Sequence, residues 1–143
     1  MNVSAILAEK GASVFTLKSN INIMDAVRAL RENKVGALVV SDDGTSIDGI
    51  LSERDIVRGV AEQGAPCLDR KVGDLMTRNV VTCTEDATVS DLMELMTQGR
   101  FRHLPVVRGD ALVGIVSIGD IVKRRIADVE REAEDIRSYI ATA

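Results

Sequence analysis

One pattern occurs twice in this 143-residue chain. Residues 49–57 read Gly-Ile-Leu-Ser-Glu-Arg-Asp-Ile-Val, and residues 114–122 read Gly-Ile-Val-Ser-Ile-Gly-Asp-Ile-Val. Each copy is predicted to be a strand that ends in Gly-x-x-Ser-x-x-Asp and continues directly into a helix. The repeat constrains the architecture more than any single residue does, because both copies must adopt the same supersecondary unit. A hydroxyl and a carboxylate at each strand-to-helix junction also suggest two matching small-molecule sites.

The similarity extends upstream of each copy. Residues 13–16 match residues 79–82 and predict a short strand in each half of the chain. Residues 23–30 match residues 89–96, and in both segments apolar residues recur three and four positions apart, which predicts a helix with one buried face. The repeat therefore covers whole structural units.

A central strand completes each unit. Residues 35–40 form a nearly continuous apolar run, typical of a strand that is buried on both faces, and they match residues 101–106. Each unit therefore reads strand, helix, strand, turn, strand, helix. Because neither half buries enough surface alone, we expect a mixed α/β fold in which two units pack sheet against sheet.

Helix-ending residues and the bounds of the repeat divide the chain into five segments. Gly64 and Pro66 end the helix that begins near Glu53. The segments are an N-terminal helical segment at 1–12, a first unit at 13–63, a linker at 64–71, a second unit at 72–125 and a C-terminal helical extension at 126–143.

The helical pattern continues from Asp120 almost to the last residue. Its apolar residues are separated alternately by four and three positions, which is the a/d spacing of a heptad stripe: Val122, Ile126, Val129, Ala133, Ile136 and Ile140. Such a stripe needs a partner, either the N-terminal segment around Val3, Ile6 and Leu7 or another subunit. We expect a homodimer in which the terminal helices pack across or beside the two-fold axis.

Composition disfavours several functions. The formal net charge is −4 and aromatic residues make up only 2% of the chain, which argues against nucleic-acid binding. The basic cluster at residues 123–125 is the one local feature that would favour it. No apolar run has the ~20 residues that a membrane span requires, and the N-terminus lacks the pattern of a signal peptide. Cys67 and Cys83 fit neither a disulfide framework nor a CxxC motif, so a cytoplasmic protein is expected.

The repeated segments resemble a tandem pair of CBS (cystathionine β-synthase) domains, the arrangement called a Bateman module. The resemblance runs from Ser13 to about Arg124, and it rests on the two Gly-x-x-Ser-x-x-Asp motifs, residues 36–40, residues 102–106 and the pair Met76-Thr77. It implies two β-α-β-β-α repeats with pseudo-two-fold symmetry in a stand-alone protein. It also implies a regulatory module without catalysis that binds AMP, ADP, ATP or NAD(H), with S-adenosylmethionine less favoured. Such modules often pair into homodimeric discs.

The motif residues suit an adenosyl ligand. A carboxylate can accept hydrogen bonds from both hydroxyls of a ribose, and an acid in the first helical turn complements the helix dipole. The resemblance implies that each site combines the Ser-x-x-Asp of one unit with strands of the other. The first site would then comprise Ser52, Arg54, Asp55, Thr82, Arg102, His103, Leu104 and Pro105.

The second site would be poorer in phosphate-binding groups. It would comprise Thr16, Gly36, Ala37, Leu38, Ser117, Asp120 and Lys123. Gly119 stands where the first copy has Arg54, and Gly36-Ala37 stands where the second unit has Arg102-His103. We therefore expect a phosphorylated ligand in the first site, since arginine is the better phosphate ligand.

Two other interpretations remain open. Asp55 and Asp120 could be plain helix-capping acids, and the chain could be a structural dimer or adaptor whose nucleotide pockets are vestigial. An enzyme is not expected, because the sequence has no recognisable nucleophile–base pair, P-loop or GxGxxG motif. The single histidine and two separated cysteines do not form a metal-ligand cluster, so we expect no metal or catalytic cofactor. Any protein that such a module regulates is unknown.

Overall fold

A computed structural model of the chain describes residues 2–11 and 14–142. Its helices are α1 (Val3–Lys10), α2 (Ile23–Asn33), α3 (Glu53–Gln63), α4 (Val72–Leu75), α5 (Val89–Gly99) and α6 (Ile118–Thr142), and a 3-10 helix spans Ala65–Asp69. Its strands are β1 (Thr16–Leu17), β2 (Ala37–Val40), β3 (Gly49–Ser52), β4 (His103–Arg108) and β5 (Ala111–Ser117). The fold is mixed α/β and contains the two predicted repeats.

The first unit contains a three-stranded sheet with the order β1-β2-β3. Strand β1 is parallel to β2, and β2 is antiparallel to β3 with Ala37 opposite Ser52. All four residues of β2 are buried, as the apolar run in the sequence predicts for a central strand. This register brings the start of β2 next to the end of β3, where the Ser-x-x-Asp motif begins.

The second unit differs from the prediction at its first strand. The expected strand at residues 79–82 is reduced to one parallel bridge between Cys83 and Val106, beside the antiparallel pair β4-β5. The Cys83 amide donates to the carbonyl of Pro105 at 3.0 Å, and the Val107 amide donates to the carbonyl of Cys83 at 2.9 Å. Extending this ladder toward Val81 would require an N–H at position 105, which proline lacks.

The two units exchange the short helices that precede them. Val72 and Met76 at the start of the second unit lie in the core of the first, between α2, α3 and the sheet. In the same way, Val3, Ile6 and Leu7 of α1 lie in the core of the second unit. Single bridges repeat the relationship, because Asn22 pairs with Lys71 and Thr88 pairs with Asn2. The exchange ties the pseudo-symmetric halves together.

The apolar stripe of α6 is not covered by the N-terminal helix. Helix α1 lies along the side of α6 that carries Arg124, whose guanidinium contacts Glu9 at 2.6 Å. The stripe itself is exposed, with Val122, Ile126, Val129, Ile136 and Ile140 between 46% and 68% accessible. The N-terminal segment is therefore not the partner of the stripe.

Both cysteines are free thiols inside the protein. Cys67 is fully buried beneath α3, and burial raises the pKa of Cys83 to about 11. Neither thiol is therefore exposed to solvent. In the described part of the chain no helix is long and apolar enough to cross a membrane.

Candidate ligand-binding site

A cavity of about 490 Å³ lies where the two units meet. The end of β3 and the first turn of α3 form one side of it, with the start of β2 beside them. The segment before β4 and the β5-α6 junction form the other side. Both copies of the repeated motif therefore contribute to one cavity.

Ser52 and Asp55 form a complete capping box at the start of α3. The Ser52 hydroxyl accepts from the Asp55 amide at 3.3 Å, and Asp55 Oδ2 accepts from the Ser52 amide at 3.0 Å. The capping interpretation of this motif is therefore correct for Asp55 Oδ2. Asp55 Oδ1 accepts a single hydrogen bond of 3.2 Å from the Thr77 hydroxyl. That bond is to a neutral group at the cavity wall, so a ligand hydroxyl can replace it at little electrostatic cost.

Thr77 is held in place by the backbone. Its amide donates to the carbonyl of Ile50 and its carbonyl accepts from the amide of Ile50, both at 2.9 Å. This bridge fixes the Met76-Thr77 segment against β3. The close approach requires a glycine at position 49, because a Cβ there would lie 2.8 Å from the carbonyl oxygen of Thr77.

The second copy has the same cap and a different third partner. Asp120 Oδ2 accepts from the Ser117 amide at 2.8 Å and from the ammonium of Lys10 at 2.7 Å. Lys10 also donates to the carbonyl of Ile115 at 2.9 Å. It binds Asp120 through Oδ2, the oxygen that also accepts from Ser117, whereas Thr77 binds Asp55 through Oδ1. Burial raises the pKa of Asp120, but the hydrogen bonds from Lys10 and Ser117 outweigh it and leave that pKa below its ordinary value.

The cavity is basic although the chain is acidic overall. Its lining includes four arginines, Arg54, Arg58, Arg100 and Arg102, against the two acids Glu53 and Asp55. Apolar side chains complete the lining: Ile50, Val80, Val81, Phe101 and Ile118. A cavity with arginines, a hydroxyl-binding carboxylate and apolar walls matches the phosphate, ribose and base of a nucleotide.

His103 lies between the two units. A Cβ built on Gly36 would be 3.4 Å from His103 Cε1, so the glycine allows the imidazole to sit against β2. Burial and the positive charge of Lys10 lower the pKa of His103, and the carboxylates of Glu53 and Asp120 only partly oppose them. The imidazole is therefore held toward its neutral form, in which one ring nitrogen accepts a hydrogen bond.

The cavity combines residues from both predicted sites. Ser52, Arg54, Asp55, Arg102 and His103 of the first predicted site line it. Gly36, Ala37 and Ser117, which were assigned to the second site, line the same cavity.

The other predicted residues lie outside the cavity lining. Leu104, Pro105 and Leu38 are buried in the cores. Thr82 is exposed, Thr16 is part of β1, Lys123 is exposed on α6, and Asp120 is bound by Lys10.

Several lining residues were missed by the sequence analysis. Thr77, Asn79, Arg58 and Arg100 line the cavity, and Lys10 bonds to Asp120 across 110 positions of sequence. The pair Met76-Thr77 is one of the carriers of the family resemblance, and that signal could have identified Thr77 as a site residue. No group of His, Cys, Asp and Glu side chains within residues 2–11 and 14–142 could hold a metal ion.

Two segments of the chain match the CBS domain family model, residues 7–62 and 72–127. A curated relative is the mitochondrial CBS domain-containing protein CBSX3 of Arabidopsis thaliana, which is 34% identical over 96% of this chain and 71% of its own length.

Solved structures share the fold. The CBS-domain protein ATU1752 of Agrobacterium tumefaciens is 46% identical, with a TM-score of 0.84, over 87% of this chain and 92% of its own. The CBS domain pair of protein MJ0100, in complex with 5′-methylthioadenosine and S-adenosyl-L-methionine, is 29% identical with a TM-score of 0.80, over 90% of this chain and 98% of its own.

Proposed function

Because the chain belongs to the CBS domain family, as a tandem pair of such domains, we propose that it is a regulatory module that binds an adenosine-containing ligand in the cavity between its two repeats. The ligand classes that fit are AMP, ADP, ATP and NAD(H), with S-adenosylmethionine as a further candidate. Binding would report adenylate level or nicotinamide redox state to a partner protein without any chemical step, by shifting the relative packing of the two repeats.

The observation that carries this proposal is the composition of the cavity wall. Asp55 presents Oδ1 to the cavity, four arginines surround it, and apolar side chains lie between. Four cationic side chains around one cavity in a chain of net charge −4 create a local site for an anion. The adenosyl ligands of the MJ0100 domain pair support the assignment of the base and ribose.

We further propose that the two motifs are unequal and that one nucleotide binds per chain, at Asp55. The Oδ1 atom of Asp55 is bound only by the neutral Thr77 hydroxyl, whereas the carboxylate of Asp120 is paired with a charged ammonium at 2.7 Å. Charge-assisted hydrogen bonds are roughly twice as strong as neutral ones, so a ribose competes poorly at Asp120.

The remaining parts of the proposal concern assembly and location. We propose a homodimer, since the apolar stripe of α6 is exposed in the single chain. Two buried free thiols fit a reducing compartment, and the cytoplasm is the location we propose.

Thermal unfolding with AMP, ADP, ATP, NADH and S-adenosylmethionine tests the function. A ligand at 100 times its Kd adds about 2.7 kcal/mol of stability, which raises the Tm of a domain of this size by several degrees. We expect at least one of these ligands to raise the Tm of the wild-type chain, and Asp55→Ala to abolish that increase.

Asp91→Ala is the matched control. Asp91 forms the same capping box with Thr88 at the start of α5, outside the cavity. Both alanine variants lose the bond from the N3 carboxylate to the N-cap amide and keep the N-cap side chain, so each ligand-dependent increase is measured from the variant's own Tm. The proposal fails if no ligand raises the wild-type Tm, which would favour the adaptor with vestigial pockets, or if Asp55→Ala responds like the wild type.

A further inference from the structure

We propose that two copies of this chain pair through α6 as a parallel two-stranded coiled coil over residues 122–140. The proposal rests on the homodimer proposed above and specifies its interface, and it does not depend on nucleotide binding. It rests on three features of α6. Its apolar stripe has no partner in the single chain, its opposite face packs against the protein's own body, and its charge pattern favours a parallel over an antiparallel pair of helices.

The stripe follows a heptad register throughout. Val122, Val129 and Ile136 take the d positions, and Ile126, Ala133 and Ile140 take the a positions. Five of these six side chains are at least 46% exposed in the single chain, and Ala133 is half-buried. Exposure of these apolar side chains to water is unfavourable, and it is relieved when another molecule covers the stripe.

The opposite side of α6 packs against the protein's own body. Ile121, at a c position, is 1% exposed in the core of the second unit. Arg124, at the f position opposite the stripe, contacts Glu9 of α1 at 2.6 Å and Asp128 at 3.4 Å. These contacts hold α6 with its a/d face directed away from the body, available to another molecule.

The charges beside the stripe complement each other when two copies run parallel. In that arrangement each g residue faces the e residue five positions later in the other helix. Arg125 then faces Glu130 of the second copy, and Glu132 faces Arg137 of the second copy. Two-fold symmetry doubles these contacts to four attractive pairs, and all four side chains are exposed in the single chain.

The antiparallel arrangement places like charges together. With the a/d layers matched about the middle of the stripe, g residues face g residues and e residues face e residues. Glu130 would then face Glu130 of the second copy, and Glu132 would face Glu132 of the second copy. Lys123 would face Arg137 of the second copy. The pattern therefore selects against this direction.

The width of the stripe favours two helices over more. Charged residues occupy positions 123, 125, 130, 132 and 137 on its flanks, so the apolar face is only an a/d seam. Larger bundles bury a wider face that includes e or g positions. The seam spans fewer than three heptads, so we expect a reversible dimer whose population depends on concentration.

Charge reversal in the full-length chain tests the pairing. Arg125→Glu turns two attractive contacts into repulsive ones, and we expect the dimer Kd from sedimentation to rise roughly tenfold. Glu130→Arg should have the same effect, and the double variant should return to within about twofold of the wild-type Kd because the contacts are attractive again. Glu134→Arg, with the same change of charge at the outward b position, should leave the Kd unchanged.

Cysteine cross-linking tests the direction. Ile140 faces Ile140 of the second copy only in the parallel coil, so Ile140→Cys should form an intermolecular disulfide with oxidised glutathione, whereas Ser138→Cys, at the outward f position, should not. The wild-type chain should not cross-link, because Cys67 and Cys83 are buried. The proposal is overturned by a wild-type chain that stays monomeric, by a dimer that Ile140→Cys does not cross-link, or by a double variant that remains as weak as the single ones.

Discussion

At the scale of single residues, the two copies of the motif differ in one contact. Asp55 and Asp120 both accept from the serine three positions earlier. The third partner is the hydroxyl of Thr77 in one copy and the ammonium of Lys10 in the other. Lys10 is the last residue of α1, which packs against the second unit. The exchange of helices therefore places the ammonium next to Asp120.

Removal of the Lys10 ammonium should expose a second, weaker site. Lys10→Met keeps the aliphatic stem and removes the charged partner of the Asp120 carboxylate, whose Oδ2 still accepts from Ser117. We therefore expect calorimetric titration to change from one nucleotide per chain to two. Glu9→Gln is the control, since it breaks the neighbouring contact with Arg124 and leaves Lys10 at Asp120. Two nucleotides in the wild type, or one in Lys10→Met, would show that Lys10 does not close the second site.

The single histidine should make stability depend on pH. Burial lowers the pKa of His103 below its ordinary value of 6.5, so the unfolded chain binds the proton more readily than the folded one. The free energy of unfolding should therefore fall as the pH drops through 6.5, and the loss should end below the folded-state pKa.

Urea denaturation at about pH 7.5 and about pH 5.5 measures this loss. His103→Asn should lose less stability over that interval than the wild type. Equal losses in the two proteins would contradict the lowered pKa of the imidazole.

Only the motif residues of the cavity carry a clear signal in the sequence. The sequence placed Ser52, Arg54 and Asp55 in a site, and the structure puts them on one wall of the cavity. It could not place Lys10, because the contact of Lys10 with Asp120 depends on how helix α1 crosses to the second unit. Such long-range contacts leave no periodic trace in the sequence.

At the scale of elements, local patterns predicted nearly every helix and strand. The amphipathic spacing gave α2 and α5, and the heptad stripe gave α6. The first strand of the second unit was overestimated, because similarity to the first unit masked the effect of Pro105 on the ladder. The helix exchange was not predicted, since Val3 and Val72 look equally apolar in either core.

The contact between β3 and the Met76-Thr77 segment should be sensitive to one methyl group. A Cβ at Gly49 would lie 2.8 Å from both the Thr77 carbonyl oxygen and Met76 Sδ, so Gly49→Ala should cost about 1–3 kcal/mol in urea denaturation. Displacement of Thr77 should also reduce the ligand-dependent rise in Tm.

Gly119→Ala is the control for this steric effect. The nearest atom to a Cβ at Gly119 is Ser117 Oγ at 3.6 Å, an ordinary contact in the first turn of α6. We expect no loss of stability there, because alanine favours the helix over glycine. A Gly49→Ala protein as stable as the wild type would show that the segment adapts freely.

At the scale of the whole molecule, the repeat gives two pseudo-symmetric units, and the differences between them make the surroundings of Asp55 and Asp120 unequal. Two similar units share one cavity, and each unit contributes two of its arginines, Arg54 and Arg58 from α3 and Arg100 and Arg102 from the segment before β4. The acidic remainder of the chain keeps the net charge at −4, so the cavity is a local attraction for an anionic ligand. Helix α6 extends from this body with its apolar stripe exposed, and this stripe is the surface that we propose for a second copy.

The most direct test of the central claim uses the one histidine of the chain as a reporter inside the cavity. The NMR resonance of the His103 Hε1 proton is followed while AMP, ADP, ATP, NADH or S-adenosylmethionine is added. We expect a saturable shift with at least one of them in the wild type, and none with that ligand in Asp55→Ala. A resonance that stays unchanged with every ligand at millimolar concentration would contradict a nucleotide site between the repeats.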